Sequence, residues 1–245
     1  KWVKTDYPLA QIFAIAAPIS LAFLLSRSAE YVDGYLVLNF AGDDFAAFRY
    51  GAKELPIILL VANSISTLQS AVLAGAKTGE ERATAMGSLR KQTNNSLWLF
   101  FGISAVLLFV SKPVFHLVFH GNFDTSYQVF DVYVLLVIPR LLFPQTILRG
   151  MLETRMLTVS AAAELILNVF LSIWLLQIWG LPGIAMATVI SFLAEKLILL
   201  VYLYVKKDIR PAAYMPVWTW LGTSLALIGM YVLKVLPNTP LQIFP

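Results

Sequence analysis

Long apolar runs separated by short polar segments dominate the chain. Seven of these runs have, or nearly have, the length of about 20 residues that a helix needs to cross a bilayer. The runs lack the alternation of apolar and polar positions that membrane-spanning strands show, so the pattern predicts helices. The predicted spans are residues 9–38, 45–74, 96–110, 129–152, 157–179, 184–204 and 218–236.

The predicted fold class is an all-α integral membrane protein, a bundle of about seven transmembrane helices. Proline interrupts three of the spans, with Pro18 in the first, Pro56 in the second, and both Pro139 and Pro144 in the fourth. Because proline removes a backbone donor and clashes with the preceding turn, we expect kinks or breaks at these positions.

Composition agrees with a membrane location. Of the 245 residues, 59% are hydrophobic and 13% are charged, whereas a soluble domain has about 25% charged residues. The mean hydropathy is +0.75. The chain has no cysteine, which excludes disulfides and thiolate metal sites. The net charge of +4 is better explained by where the basic loops lie than by nucleic-acid binding, so no nucleic-acid partner is predicted.

Basic residues fall in every second connection. Basic residues occur in the N-terminal flank and in segments 77–91, 149–155 and 206–210. Segment 39–44, by contrast, has two aspartates and no basic residue. Because basic loops stay in the cytoplasm, the N-terminus of the chain is predicted to be cytoplasmic. Seven spans would leave the ends on opposite sides, and the chain starts with Lys1. We therefore expect a piece of a longer protein, with one more helix after residue 245.

Three charges interrupt the first span. Arg27, Glu30 and Asp33 follow one another at intervals of three residues, which places neighbours on one helix face. A charge at bilayer depth costs roughly 2.5–3.5 kcal/mol on insertion scales, so such residues usually face a bundle interior or a wet cavity. The alternative is a self-neutralising pair near the outer end of the helix, with Asp33 among the headgroups.

The second span also begins with charges. Arg49 and Lys53 share a face, and Glu54 comes two residues before Pro56. A broken helix beside charge often lines a transport pathway. The two cations could equally be interfacial.

Arg140 is the sharpest single candidate, because it lies in mid-span between two prolines. Its guanidinium suits a phosphate or a carboxylate. The two hypotheses are an anionic ligand and an ion pair with Glu164 or another buried acid. In the fifth span Glu164 and Asn168 are four residues apart and face one way, which fits either a polar lining or contacts between helices.

Three further patterns of charged residues and histidine are better explained without a binding or catalytic role. Arg149 and Glu153 are four apart and read as an interfacial helix pair, and Glu195 with Lys196 could reach the interface by snorkelling. His120 and Asp124 match the HxxxD spacing of acyltransferases. Two fixed letters in a short outer loop, without a cofactor-binding motif, make an enzyme a weak alternative.

Motifs around the fifth and sixth spans resemble those of a known family. They are Met151-Leu152-Glu153-Thr154-Arg155, Glu164-Leu165-Ile166-Leu167-Asn168-Val169, and Trp179-Gly180-Leu181-Pro182-Gly183 followed by Ile184-Ala185-Met186-Ala187-Thr188-Val189-Ile190-Ser191. Together they are similar to the polysaccharide-export branch of the MOP flippase superfamily, which has a small-residue turn between its helices eleven and twelve. In this chain Ile184 stands where that family often has a small residue.

The resemblance implies the second lobe of a two-lobed transporter. Residues 1–207 would be a six-helix bundle (family helices seven to twelve) and residues 208–245 an additional helix thirteen. The implied function is a flippase that moves a polyprenyl-pyrophosphate-linked oligosaccharide from the inner to the outer leaflet of a bacterial plasma membrane. Rocking of the lobes would give alternating access.

The resemblance also implies roles for residues. Arg27, Arg49 and Arg140 would meet the pyrophosphate. Glu30, Asp33, Glu54 and Glu164 would bond sugar hydroxyls or take a coupling H⁺ or Na⁺, with Asn168 beside them. The partners are then the lipid-linked oligosaccharide and the bilayer, with no cofactor and no enzymatic step. The alternatives are a peptidoglycan-precursor flippase, a multidrug cation antiporter and, from other classes, a glycan-modifying membrane enzyme or a membrane scaffold.

Overall fold

The computed structural model describes residues 9–119 and 126–235, and every regular element in those ranges is helical. Six helices there are long and apolar enough to cross a membrane, and one bent helix pair makes a seventh span. The protein is therefore an all-α bundle of six to seven membrane-spanning helices, as the apolar runs predict. In chain order the helices are α1 (Leu9–Phe40), α2 (Phe45–Gly51), α3 (Pro56–Gly75), α4 (Gly79–Phe119), α5 (Ser126–Val134), α6 (Val137–Arg140), α7 (Pro144–Gly150), α8 (Arg155–Trp179), α9 (Leu181–Lys207), α10 (Pro211–Tyr214) and α11 (Val217–Val235).

Helix α4 is much longer than the predicted third span. Its 41 residues include most of segment 77–91, which was predicted to be a loop, and also continue through Pro113 to Phe119. The early start has a local cause. The Thr78 hydroxyl accepts the Glu81 N–H at 3.1 Å, and the Glu81 carboxylate accepts the Thr78 N–H at 3.2 Å, which is a capping box. This signal is visible in the sequence, and the prediction overlooked it.

The predicted second span is two helices rather than one. Helix α2 ends at Gly51, α3 begins at Pro56, and the residues between them are not helical. Proline disfavours helical backbone at the preceding residue, and Leu55 is indeed extended at φ −68° and ψ 110°. Helix α2 sits against α5 so closely that a Cβ on Gly51 would lie 2.3 Å from the Ser126 carbonyl oxygen.

The fourth span is the most broken and the most buried. It consists of α5, α6 and α7, and the direction changes by 43° between residues 126–140 and α7. Pro139 and Pro144 lie around this bend, and nearly every side chain from Val129 to Leu148 is buried. The interrupted span therefore forms the centre of the bundle, with α3, α4 and α9 packed around it.

Helices α8 and α9 form a tight antiparallel pair, against which α1 packs. The chain reverses at Gly180, whose φ is +63°. A Cβ on Gly183 would lie 2.1 Å from the Leu175 carbonyl oxygen, so only glycine permits this approach of the two backbones.

Helix α11 packs on α4 and reaches the central span through two polar contacts. The Trp220 indole donates to the Ile138 carbonyl at 3.0 Å, and Lys234 pairs with the buried Asp131 at 2.5 Å. The division into residues 1–207 and 208–245 stays a prediction.

Candidate functional site

A cavity of about 290 Å³ opens between α1, α3, the central broken span and α9. Polar residues on its wall include Ser26, Asn63, Tyr133 and Gln145. More of its charged side chains are cationic than anionic. The cations are Arg27, Lys53, Arg140, Arg149 and Lys196, and the anions are Glu30, Glu54 and Glu195.

Arg140 is bound to Glu54 across this cavity. Its Nε and Nη2 donate to one Glu54 carboxylate oxygen at 2.8 and 2.6 Å, and the guanidinium stacks on the Phe192 ring at 4.3 Å from the centroid. The interruptions of the second and fourth spans meet at this ion pair, because Glu54 lies between α2 and α3 and Arg140 ends α6. The hypothesis named Glu164 or another buried acid as the partner of Arg140; the partner is another acid, the partly buried Glu54, and Glu164 is not the partner.

At the open side of the cavity Glu30 lies between two arginines. Arg27 is 3.7 Å away on the same helix, as the spacing predicts, and Arg49 of α2 is 3.3 Å away. All three side chains are about half exposed, so neither pair contributes more than a small part of the folding energy. Lys53 also reaches the cavity wall and forms no ion pair with a described residue.

The predicted Arg149–Glu153 pair is wrong. Glu153 pairs with Lys207 instead, and Arg149 points into the cavity. Glu195 and Lys196 are not at the interface either. Both are buried, pair with each other at 2.6 Å and line the same cavity. Snorkelling is ruled out for them because their position in mid-helix α9 places them against the central span.

Asp33 lies deep between α1, α8 and α9 rather than among headgroups. Its side chain is fully buried and accepts hydrogen bonds from Ser172 at 2.9 Å and Thr188 at 2.6 Å. Asn168 donates to the same Thr188 hydroxyl at 3.3 Å, and its carbonyl oxygen has no donor among the described residues. No cation of the described chain lies within ion-pair distance of Asp33. The sequence contained one indication that Ser172 belongs to this group, because it lies four residues after Asn168 and therefore on the same helix face.

Glu164 lies behind the cavity wall. Ser26 donates to one of its carboxylate oxygens at 2.7 Å, and the other oxygen is buried without a hydrogen-bond partner. Glu164 thus joins α1 to α8 through Ser26, although neither it nor Asn168 contacts the cavity directly.

Among the described residues no group of three or more His, Asp or Glu side chains is arranged to hold a metal ion. The HxxxD candidates His120 and Asp124 lie outside the described residues. Of the eight predicted site residues, Arg27, Glu30, Glu54 and Arg140 line the cavity, and Arg49 is joined to it through Glu30. The other three lie behind the wall.

Comparison with known proteins supports the fold. No family model and no curated protein matches the sequence. The structure is similar to the lipid II flippase MurJ in an inward closed conformation, with a TM-score of 0.63 and 18% identity over 98% of this chain and 51% of that one. It is also similar to an outward-facing multidrug resistance MATE family transporter of the MOP superfamily, with a TM-score of 0.62 and 17% identity over 90% of this chain and 51% of the other.

The chain spans about half the length of both structures. At this identity the likeness shows the fold alone. The structure and both comparisons lead to one conclusion about architecture: the chain is an all-α membrane bundle whose fold is similar to about half of each of these two solved structures.

Proposed function

We propose that this chain is part of a flippase that moves a polyprenyl-pyrophosphate-linked oligosaccharide across a bacterial plasma membrane. The observation that carries the proposal is the cationic excess of the cavity, five basic against three acidic side chains, inside an apolar bundle. Charges at that depth are expensive and are retained where they face a ligand or water. A pyrophosphate supplies the matching negative charge.

Arginine is the side chain best suited to this cargo. Its planar guanidinium binds phosphate oxygens in a bidentate manner, and such charge-assisted bonds are roughly twice as strong as neutral ones. In this proposal Arg140 is the principal phosphate ligand, with Arg27, Arg49 and Lys53 at the open side. Sugar hydroxyls then meet the acceptors Glu30 and Glu54, and no bond is made or broken.

We assign the coupling ion to Asp33. A fully buried carboxylate without a cationic partner is costly, and H⁺ or Na⁺ would remove that cost. The surrounding oxygens suit a hard cation, since the Ser172 and Thr188 hydroxyls contact the carboxylate and Asn168, which contacts Thr188, has a buried carbonyl oxygen without a donor. Asp33 lies one helical turn after Glu30, which connects the ion to the cavity wall.

The same cavity would fit a peptidoglycan precursor, because that cargo shares the lipid pyrophosphate, and similarity to a lipid II flippase favours it as a second candidate. A cation antiporter fits less well, since an acid-dominated cavity would be expected. The basic loops support a cytoplasmic N-terminus for the chain, and this orientation is part of the proposal. Because the chain has no cysteine, labelling of single cysteines at Ala41 and Lys77 from either side of the membrane would test this orientation directly.

The function is tested by transport in proteoliposomes. We expect Arg140→Gln to reduce the flipping of a fluorescent polyprenyl-pyrophosphate oligosaccharide at least tenfold, and Arg140→Lys to recover only part of it, because lysine cannot form the bidentate contact. Arg155→Gln is the matched control, since that arginine is exposed and outside the cavity. Undiminished transport by Arg140→Gln would refute the proposed role of the cavity.

A further inference from the structure

We infer that the cavity contains a second phosphate-binding station, formed by Arg149 and Lys196, to which the cargo passes from Arg140. The inference rests on the proposed function, and it assigns a role to residues that the sequence patterns left at the membrane interface. The second station consists of Arg149 on α7 and of Glu195 and Lys196 on α9, and all three line the cavity.

Arg149 is the cation of this group that lacks a direct partner. It forms no ion pair with a described residue, and its Nε is buried without a hydrogen-bond acceptor. Arg140 differs, because its Nε and Nη2 both donate to Glu54. A guanidinium with unused donors on the wall of a cavity is a site for an anion.

Lys196 adds a second positive charge to the cavity wall, on helix α9, which packs against α7. It is buried, and its one ion pair within the described ranges is with its sequence neighbour Glu195. Glu195 is the one acid of this three-residue group. Two cations therefore share one lining carboxylate, and the station keeps an excess of positive charge that an anionic group can neutralise.

The two stations lie at different depths. Arg140 ends α6 and Arg149 lies nine positions later, near the end of α7. In an unbroken helix nine residues would correspond to an axial separation of roughly 13 Å, although the span is bent by 43° between these two residues. A pyrophosphate that leaves Arg140 would otherwise cross this distance without a counter-charge. With Arg149 and Lys196 on the wall, it exchanges one set of cations for another.

Gln145 favours a phosphate that carries a sugar. It lies one turn before Arg149 on the same face of α7 and lines the cavity, and its carbonyl oxygen is buried without a donor. A hydroxyl next to the phosphate would supply that donor. The station therefore combines donors for phosphate oxygens with an acceptor for the first sugar.

Calorimetric titration with farnesyl pyrophosphate tests the inference on the full-length protein in nanodiscs, with four variants compared. We expect Arg140→Gln and Arg149→Gln each to retain one binding event, and the double variant to bind at least 30-fold more weakly than either. We expect Arg149→Gln to slow transport at least tenfold. We expect Glu195→Gln and Lys196→Gln, introduced together into Arg140→Gln, to weaken the binding that remains in that variant. Because both members of the Glu195–Lys196 pair are replaced, no buried charge is left unpaired.

The controls separate the two proposals. Arg155→Gln should bind as the wild type does, and a cooperative thermal unfolding transition shows that each variant is folded. If Arg140→Gln alone removes all binding, or if Arg149→Gln changes nothing in that background, the second station is refuted and the flippase proposal stands. If the wild-type protein binds farnesyl pyrophosphate no better than farnesol, the flippase proposal itself fails.

Discussion

The Glu54–Arg140 pair gives the most discriminating prediction, because one substitution should change stability and ligand binding in opposite directions. Glu54→Gln removes the negative charge that holds Arg140 and keeps an oxygen that can still accept a hydrogen bond. An anionic cargo must displace Glu54 before it can bind the edge of the guanidinium formed by Nε and Nη2. Removing that competitor should therefore strengthen binding, while the loss of the ion pair should weaken the fold.

The structure sets the magnitudes. Two nitrogens of Arg140 donate at 2.8 and 2.6 Å, and the side chains of Arg140 and Glu54 are 24% and 20% exposed. A hydrogen bond to a charged group contributes about 1.5–3 kcal/mol. Because glutamine keeps part of it, we expect a gain in binding of about 1.4 kcal/mol, or tenfold. A similar loss of stability lowers the thermal midpoint by roughly 3–6 °C.

The assay is the farnesyl pyrophosphate titration of Glu54→Gln beside the wild type, together with thermal unfolding of both proteins. Glu80→Gln is a matched control, because Glu80 is exposed in the first turn of α4, outside the cavity. Weaker or unchanged binding in Glu54→Gln would refute the reasoning that Glu54 competes with the cargo. An unchanged midpoint would show that the pair contributes little to the fold.

Two further substitutions test other parts of the structure. Asp33→Asn should make transport insensitive to H⁺ and Na⁺ gradients while the protein stays in the membrane, whereas Ser172→Ala should keep the gradient dependence with a weaker ion affinity. If transport by Asp33→Asn responds to the gradients as the wild type does, Asp33 is not the ion site. Gly183→Ala should lower the thermal midpoint and the amount of folded protein, because the new Cβ would lie 2.1 Å from the Leu175 carbonyl oxygen. Gly102→Ala is the control, since nothing lies within 4 Å of its Cβ. An equal loss of stability in both variants would contradict the argument that α8 and α9 are closely packed at Gly183.

Part of the site was accessible from local spacing. The Arg27–Glu30 pair follows from residues three apart on one helix, and the depth of Arg140 between two prolines correctly suggested a partner or ligand in the interior. Arg149 was misplaced by the same kind of reasoning. Its spacing from Glu153 favoured a surface pair, but Glu153 lies outside a helix, in the turn before α8, and is held by Lys207.

The sequence by itself determined the class of protein and most of the places where its helices span or break, with α4 as the exception, since it extends well beyond its predicted span. Transfer of a run of apolar residues into lipid depends on the composition of that run, and proline acts on its own turn, so both effects are local. The tertiary structure alone decided that Glu54 meets Arg140, that Thr188 and Ser172 enclose Asp33, and that Arg149 faces the cavity. These partners lie up to 155 residues apart in the chain. Which of them meet depends on how the helices pack, because an ion pair or hydrogen bond forms only within a few ångströms.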